Sequence, residues 1–185
     1  MEFRKSTPGD VEQMVRIAED GKAFLRSRNV SQWQRGSYPD REILERDARA
    51  GIGHVVAEGE RVLAICAVTF ADEPSYRHLL RGAWKTPGDE GYATIHRCAV
   101  SAACRGKGIA GFLFEAVCRM AEREGARSVR VDTHPDNVAM RSALAKAGFE
   151  RCGELRLVGG DEDGDLRFGY ERLVGRGHGC GDEMS

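Results

Sequence analysis

Arg105-Gly106-Lys107-Gly108-Ile109-Ala110 stands between a run of strand character and the most regular apolar stripe in the chain. Its two glycines admit backbone geometries that a side chain would block. Several main-chain N–H groups can then converge just ahead of a helix, where the positive end of the helix dipole favours an anion. With Arg105 and Lys107 alongside, the stretch reads as a cradle for a phosphate or pyrophosphate, or else as an ordinary glycine turn. Two well-known phosphate loops do not fit. Lys107 is followed by glycine where the Walker pattern needs Ser or Thr, and the dinucleotide fingerprint lacks its third glycine.

Downstream, Ile109, Phe112, Leu113, Ala116, Val117, Met120 and Ala121 keep helical spacing until Gly125. A strand over Ser128–Thr133 follows, then a helix over 137–147 with Gly148 as its C-terminal cap. Upstream, Tyr92–Val100 has strand character, so the order is strand, helix, strand, helix. Nearer the N-terminus, a short strand at Phe3 precedes Thr7-Pro8-Gly9-Asp10, which supplies a cap, a proline at the first helical position and an acid three residues on. The helix that follows is expected to weaken or divide at Gly21. A second helix is expected over 40–50, a hairpin of strands 55–58 and 61–70, and a long loop over 71–91 carrying Tyr76 and Trp84. Two last strands, 149–158 and Leu166–Leu173, flank a turn at 159–164 whose acids predict that it stays out of the interior. The expected fold is α/β with a mixed sheet, one domain over residues 1–174 and a flexible glycine-rich tail over 175–185.

The 28 basic and 29 acidic residues nearly cancel, which argues against nucleic acid or a membrane surface as partner. Charges at the N-terminus leave no room for the apolar run of a signal peptide, and a cytoplasmic protein is expected. The six cysteines, Cys66, Cys98, Cys104, Cys118, Cys152 and Cys180, follow no C-x-x-C or zinc spacing, so no metal is expected and free thiols are.

Over residues 92–158 the chain resembles the GNAT superfamily of acetyl-CoA-dependent N-acetyltransferases. Arg105, Gly108 and Ala110 match that family's pyrophosphate-loop signature, and the strand, loop, helix, strand, Asn-headed helix and Gly148-Phe149 come in its order. The resemblance implies a central, mostly antiparallel sheet splayed between its fourth and fifth strands, here Tyr92–Val100 and Ser128–Thr133, with helices on both faces. It also implies acetyl-CoA as co-substrate. Residues 105–110 (Arg105, Gly106, Lys107, Gly108, Ile109, Ala110) would hold its pyrophosphate, the main chain of Cys98, Ala99 and Val100 would align pantetheine and polarise the acetyl carbonyl, and Asn137 would bond the pantetheine arm or cap its helix. Gln32-Trp33, Tyr38-Pro39, Trp84, Ile95-His96-Arg97, Asp132-Thr133-His134, Arg167 and Tyr170 are similar to a bacterial subgroup of undefined substrate. Homodimers are common in the superfamily, but no interface is legible here.

The chain departs from the family at Leu144, where many members carry a tyrosine that protonates the departing thiolate. Arg141, one turn earlier, is the alternative thiolate partner. For the base, His96 comes first and His134 second, each weighed against an ordinary packed histidine. Gln32, Trp33, Tyr38 and Trp84 are candidate walls for a small-molecule amine, with Trp33 and Trp84 also readable as core plugs. Cys98 as an acyl-accepting nucleophile is set behind direct attack. A CoA-binding sensor without turnover is the competing reading.

Overall fold

Thr7 and Asp10 open the first helix by capping each other. The Asp10 carboxylate accepts from the Thr7 amide at 2.7 Å and from Thr7 Oγ1 at 2.8 Å, and Arg4 grips it with two bonds of 2.8 Å. Chiefly through Arg4, its carboxyl is held down at about 2. The structure, a computed structural model, describes residues 1–87 and 90–175. Gly88, Asp89, Cys180 and all of the expected tail but Gly175 lie outside them.

Helix α1, Val11–Ser27, runs unbroken through Gly21, contrary to expectation. The Trp33 ring lies where a side chain at position 21 would go: a Cβ there would meet it at 3.1 Å. The glycine thus costs helix propensity but admits a close aromatic contact. Asp40 caps α2, Arg41–Ala50, by accepting from the Ile43 amide at 2.9 Å.

Strands β1 Glu2–Lys5, β2 Gly53–Glu58, β3 Arg61–Thr69, β4 Arg81–Gly82, β5 Tyr92–Val100, β6 Ser128–Thr133, β7 Glu150–Arg156 and β8 Leu166–Leu173 form one sheet. Its eight strands lie in the order β1-β2-β3-β5-β6-β8-β7-β4. The two-residue β4 emerges from the stretch expected to be a loop and pairs with β7. The β5–β6 pair is parallel and the others are antiparallel. Because strand side chains alternate, Val55 and Ile65 face a layer made with Met14, Leu25 and Leu44 of α1 and α2. Val56 and Ala64 face the other layer, with Leu113 and Val117 of α3, Ile109–Arg123, and Leu144 of α4, Val138–Lys146. Helices therefore cover both faces of the sheet.

The sheet opens at one place. Strands β5 and β6 pair from Tyr92↔Ser128 to Ile95↔Val131 and then part, while β5 stays paired with β3 as far as Val100. Where they part, the β3–β5 register slips between Ile65 and Ala67, leaving Arg97 and Cys98 together opposite Cys66. Arg97 takes a left-handed φ of 52°.

Candidate active site

The wedge between β5 and β6 widens into a cleft of about 1070 Å³. One half lies under the head of α3. Gly106 and Gly108 hold φ of 77° and 79°, and a Cβ on either would project into open space. No side chain caps α3, so the first amides of a 15-residue helix, at Ile109, Ala110 and Gly111, face the cleft without a capping oxygen. Phe24 and Leu25 of α1 and Met140, Ala143 and Ala147 of α4 line the same half. Uncapped amides, a helix dipole and apolar walls suit a pyrophosphate with a long, weakly polar arm.

Beyond Ile95 the edge of β5 that faces β6 is unpaired. The Ser101 amide bonds to Leu63 O on β3 at 2.9 Å, so alternation turns the Val100 amide toward the open edge.

The other half of the cleft is acidic: Asp72, Glu73, Asp132, Asp161 and Glu162 line it, against Arg97 and Arg167. Both cations are already engaged. Asp47 grips Arg97 at 2.7 and 3.1 Å; Arg167, 1% exposed, lies 2.9 Å from Glu162 and 3.7 Å from Asp132 and Asp165. Burial pushes the Asp132 carboxyl up to about 6, although Tyr76 donates to it at 2.9 Å. His96 Nε2 stands 3.6 Å from Glu73 Oε2, and burial, with Arg97 beside it, drives the imidazole down to about 4.

A family model described as the acetyltransferase (GNAT) family matches residues 18–149. The chain belongs to the GNAT acetyltransferase family. A GNAT-family acetyltransferase from Streptococcus agalactiae 2603 is 27% identical, with a TM-score of 0.84 over 95% of this chain and 96% of that one. An N-acetyltransferase from Staphylococcus aureus Mu50 is 21% identical, with a TM-score of 0.63 over 94% of this chain and 98% of the other. The ribosomal-protein-alanine N-acetyltransferase from Brucella melitensis is 18% identical, with a TM-score of 0.62 over 94% and 100%. The last two share the fold alone. Among curated proteins, none matches the sequence.

Within this GNAT cleft stand His96, Cys98, Ala99, Val100, Arg105, Gly106, Gly108, Ile109, Ala110, Asn137, Gln32, Trp33 and Tyr38 from the sequence-derived candidates. Four others do not line it. Both His134 nitrogens are occupied, Nδ1 accepting from the Asp136 amide and Nε2 against Ser31 Oγ, each at 3.1 Å, so this histidine fastens a turn. Arg141 points off the far side of α4 to Pro135 O at 2.8 Å and Tyr170 Oη at 3.3 Å, away from any thiolate in the cleft. Trp84 packs beside Tyr76 at the other edge of the sheet, under Arg130, and its indole donates to Tyr76 O. Lys107 is exposed.

Leu144 is fully buried in the core, so the position at which many relatives carry the acid faces away from this cleft. Asn137 caps α4 through Oδ1, and its Nδ2 donates to Gln32 Oε1 at 3.1 Å. His54, another histidine of the strands, stacks on Phe3 and donates from Nδ1 to Ile52 O at 2.8 Å, away from the cleft. Burial raises the Cys98 thiol to about 12, which leaves it un-ionised and a poor nucleophile.

Sequence reading missed the acids. The turn over 159–164 is not wholly solvated: Glu162 is 7% exposed and accepts from the Trp33 amide at 2.5 Å, and Asp161 lines the cleft. Glu73 falls in the long stretch expected to be a loop, and Asp132 belongs to the Asp132-Thr133-His134 resemblance without any spacing that marks it as a cleft carboxylate.

Proposed function

We propose that this protein transfers the acetyl group of acetyl-CoA to the primary amine of a small, cationic acceptor by direct attack in a ternary complex. One observation carries the reading: a single cleft joins an uncapped helix terminus suited to pyrophosphate with a chamber walled by carboxylates. The functional unit is the domain over residues 1–174, and its unpaired thiols among the described residues suit a reducing cytoplasm.

The amides of Ile109, Ala110 and Gly111 would hold the pyrophosphate, and the pantetheine arm would run along the free edge of β5. Acetyl-CoA supplies the activated thioester. The Val100 amide would donate to the carbonyl oxygen as it becomes an oxyanion. Glu73, Asp132 and Asp161 would draw in an ammonium; it would give one proton to solvent to become the neutral amine that attacks, and His96 would take the second proton as the C–N bond forms. Burial keeps His96 neutral throughout the physiological range but also makes it a weak base in the unliganded cleft, its conjugate acid lying at about 4. Glu73, 3.6 Å away, would stabilise the imidazolium that results. The C–N bond forms, the C–S bond breaks, and CoA departs as a thiolate. A thiol of pKa about 8.5 makes an acceptable leaving group without a dedicated acid.

The deciding experiment measures thiol release from acetyl-CoA with diamines, polyamines, aminoglycosides, amino acids and short peptides as acceptors. Acceptors with several ammonium groups should turn over fastest, and His96→Gln should cost roughly 10²-fold in kcat. Full activity in that variant would remove His96 from the mechanism. Tight CoA binding with no release to any acceptor would leave a CoA sensor as the correct reading.

A further inference from the structure

Arg97 sits in the bulge of β5, where the β3 ladder skips a residue and the β6 ladder has already ended. Pairing with β6 ends at Ile95, pairing with β3 slips between Ile65 and Ala67, and the residue adopts φ of 52°, which a side-chain-bearing residue avoids unless something holds it there. The hold comes from outside the cleft. Asp47 of α2, 3% exposed, accepts from Arg97 Nε at 2.7 Å and from Nη2 at 3.1 Å, a fork that fixes the plane of the guanidinium. The remaining nitrogen, Nη1, donates to Tyr38 Oη at 3.2 Å. Immediately after Arg97 come Cys98, Ala99 and Val100, the main chain that borders the reacting half of the cleft.

We infer that Asp47 is a positioning residue for acetyl transfer: by gripping Arg97 it locks the left-handed kink of β5 and so aims the amides that follow at the acyl carbonyl. A change of φ at Arg97 would shift the segment that follows, which only the β3 ladder, resumed at Ala99, restrains; the edge beside β6 is free. Asp47 touches neither substrate. Its effect passes through the backbone, and proximity alone makes catalysis sensitive to displacements of about 1 Å. The inference rests on the reading of that main chain as the carbonyl-polarising element.

The first readout of the test needs no acceptor. [1-¹³C]Acetyl-CoA is bound to each variant and the thioester carbonyl resonance is read. The wild type should shift it downfield, as donors polarise the bond, and Asp47→Asn should lose most of that shift. Its kcat with the best acceptor should fall roughly 10-fold while KM for acetyl-CoA stays within about twofold. Two double variants free of the buried charges serve where Asp47→Asn folds poorly. Asp47→Ala with Arg97→Gly should recover the shift, because glycine takes a positive φ unaided, whereas Asp47→Ala with Arg97→Ala should not.

A merely structural Asp47 would lower Tm yet leave the carbonyl shift and the kcat of folded Asp47→Asn at wild-type values, and that result overturns the inference. So do equal shifts in the two double variants. If bound acetyl-CoA shows no downfield shift on the wild type, the carbonyl-polarising role itself fails, a distinct outcome that removes the ground of the inference.

Discussion

The ionisation of Asp132 that would attract a cationic acceptor also costs the fold stability. Its carboxyl, buried beside Arg167 and Tyr76, titrates near 6 rather than at its ordinary value of 3.8. A raised carboxylate pKa means that the folded state binds more protons than the unfolded chain between those values. Stability is therefore lost as pH rises through 6, by roughly 2–3 kcal/mol at neutral pH. Asp132→Asn keeps the shape and the acceptor for Tyr76 while removing the charge. It should match or exceed the wild-type Tm at pH 8, with the gap closing as pH falls toward 4. Acceptor binding should move the opposite way: below pH 6 the wild-type kcat/KM for a cationic amine should fall more steeply than deprotonation of the amine alone requires, and the variant should be poor and lack that extra limb. A variant with wild-type kcat/KM and an unchanged acid limb would show that Asp132 does not meet the acceptor. His96, lowered to about 4, adds no limb of its own above pH 5.

At the scale of elements, the head of α3 separates two demands on glycine. Gly108 is needed for its φ of 79°, whereas Gly111 lies within the regular helix with open space where a Cβ would go. In such a helix glycine is about 1 kcal/mol worse than alanine. Gly111→Ala should thus raise the stability of the unliganded protein by about 0.5–1 kcal/mol in urea denaturation, and weaken CoA by placing a methyl group at the amide cradle. Unchanged CoA affinity by calorimetry would move the pyrophosphate away from this turn.

The elements themselves were readable because their signals are local. The stripe from Ile109 to Ala121 and the strand Tyr92–Val100 announce themselves by spacing, and Asn137 by its place before a helix. What was not readable depends on partners far along the chain. The turn at 159–164 reads as solvated because its sequence does not show that Glu162 meets Arg167 and the distant Trp33 amide. Gly21 looked like a weak point because the ring that covers it belongs to another loop. Arg141 and His134 were sound residue types on the wrong side of their elements.

On the scale of the whole molecule, the near-neutral charge conceals a division of labour. Carboxylates gather at one end of the cleft, while the other end offers helix amides with Arg105 and Lys146 on its walls. A bound CoA would touch α1, β5, α3 and α4 together, tying the two helical layers across the opening between β5 and β6. Binding of this kind exists only in the folded state. At a CoA concentration 100 times Kd it adds about 2.7 kcal/mol, which for a domain of this size raises Tm by roughly 5–10 °C. The two halves of the ligand should not contribute equally. If the amides of α3 are the anchor, adenosine 5′-diphosphate, which carries the pyrophosphate, stabilises the protein at a far lower concentration than pantetheine, which lacks it. A pantetheine as tight as CoA would mean that the apolar walls bind alone and that the uncapped helix terminus serves no anion. Failure of CoA itself to move Tm would take the cleft out of the reaction.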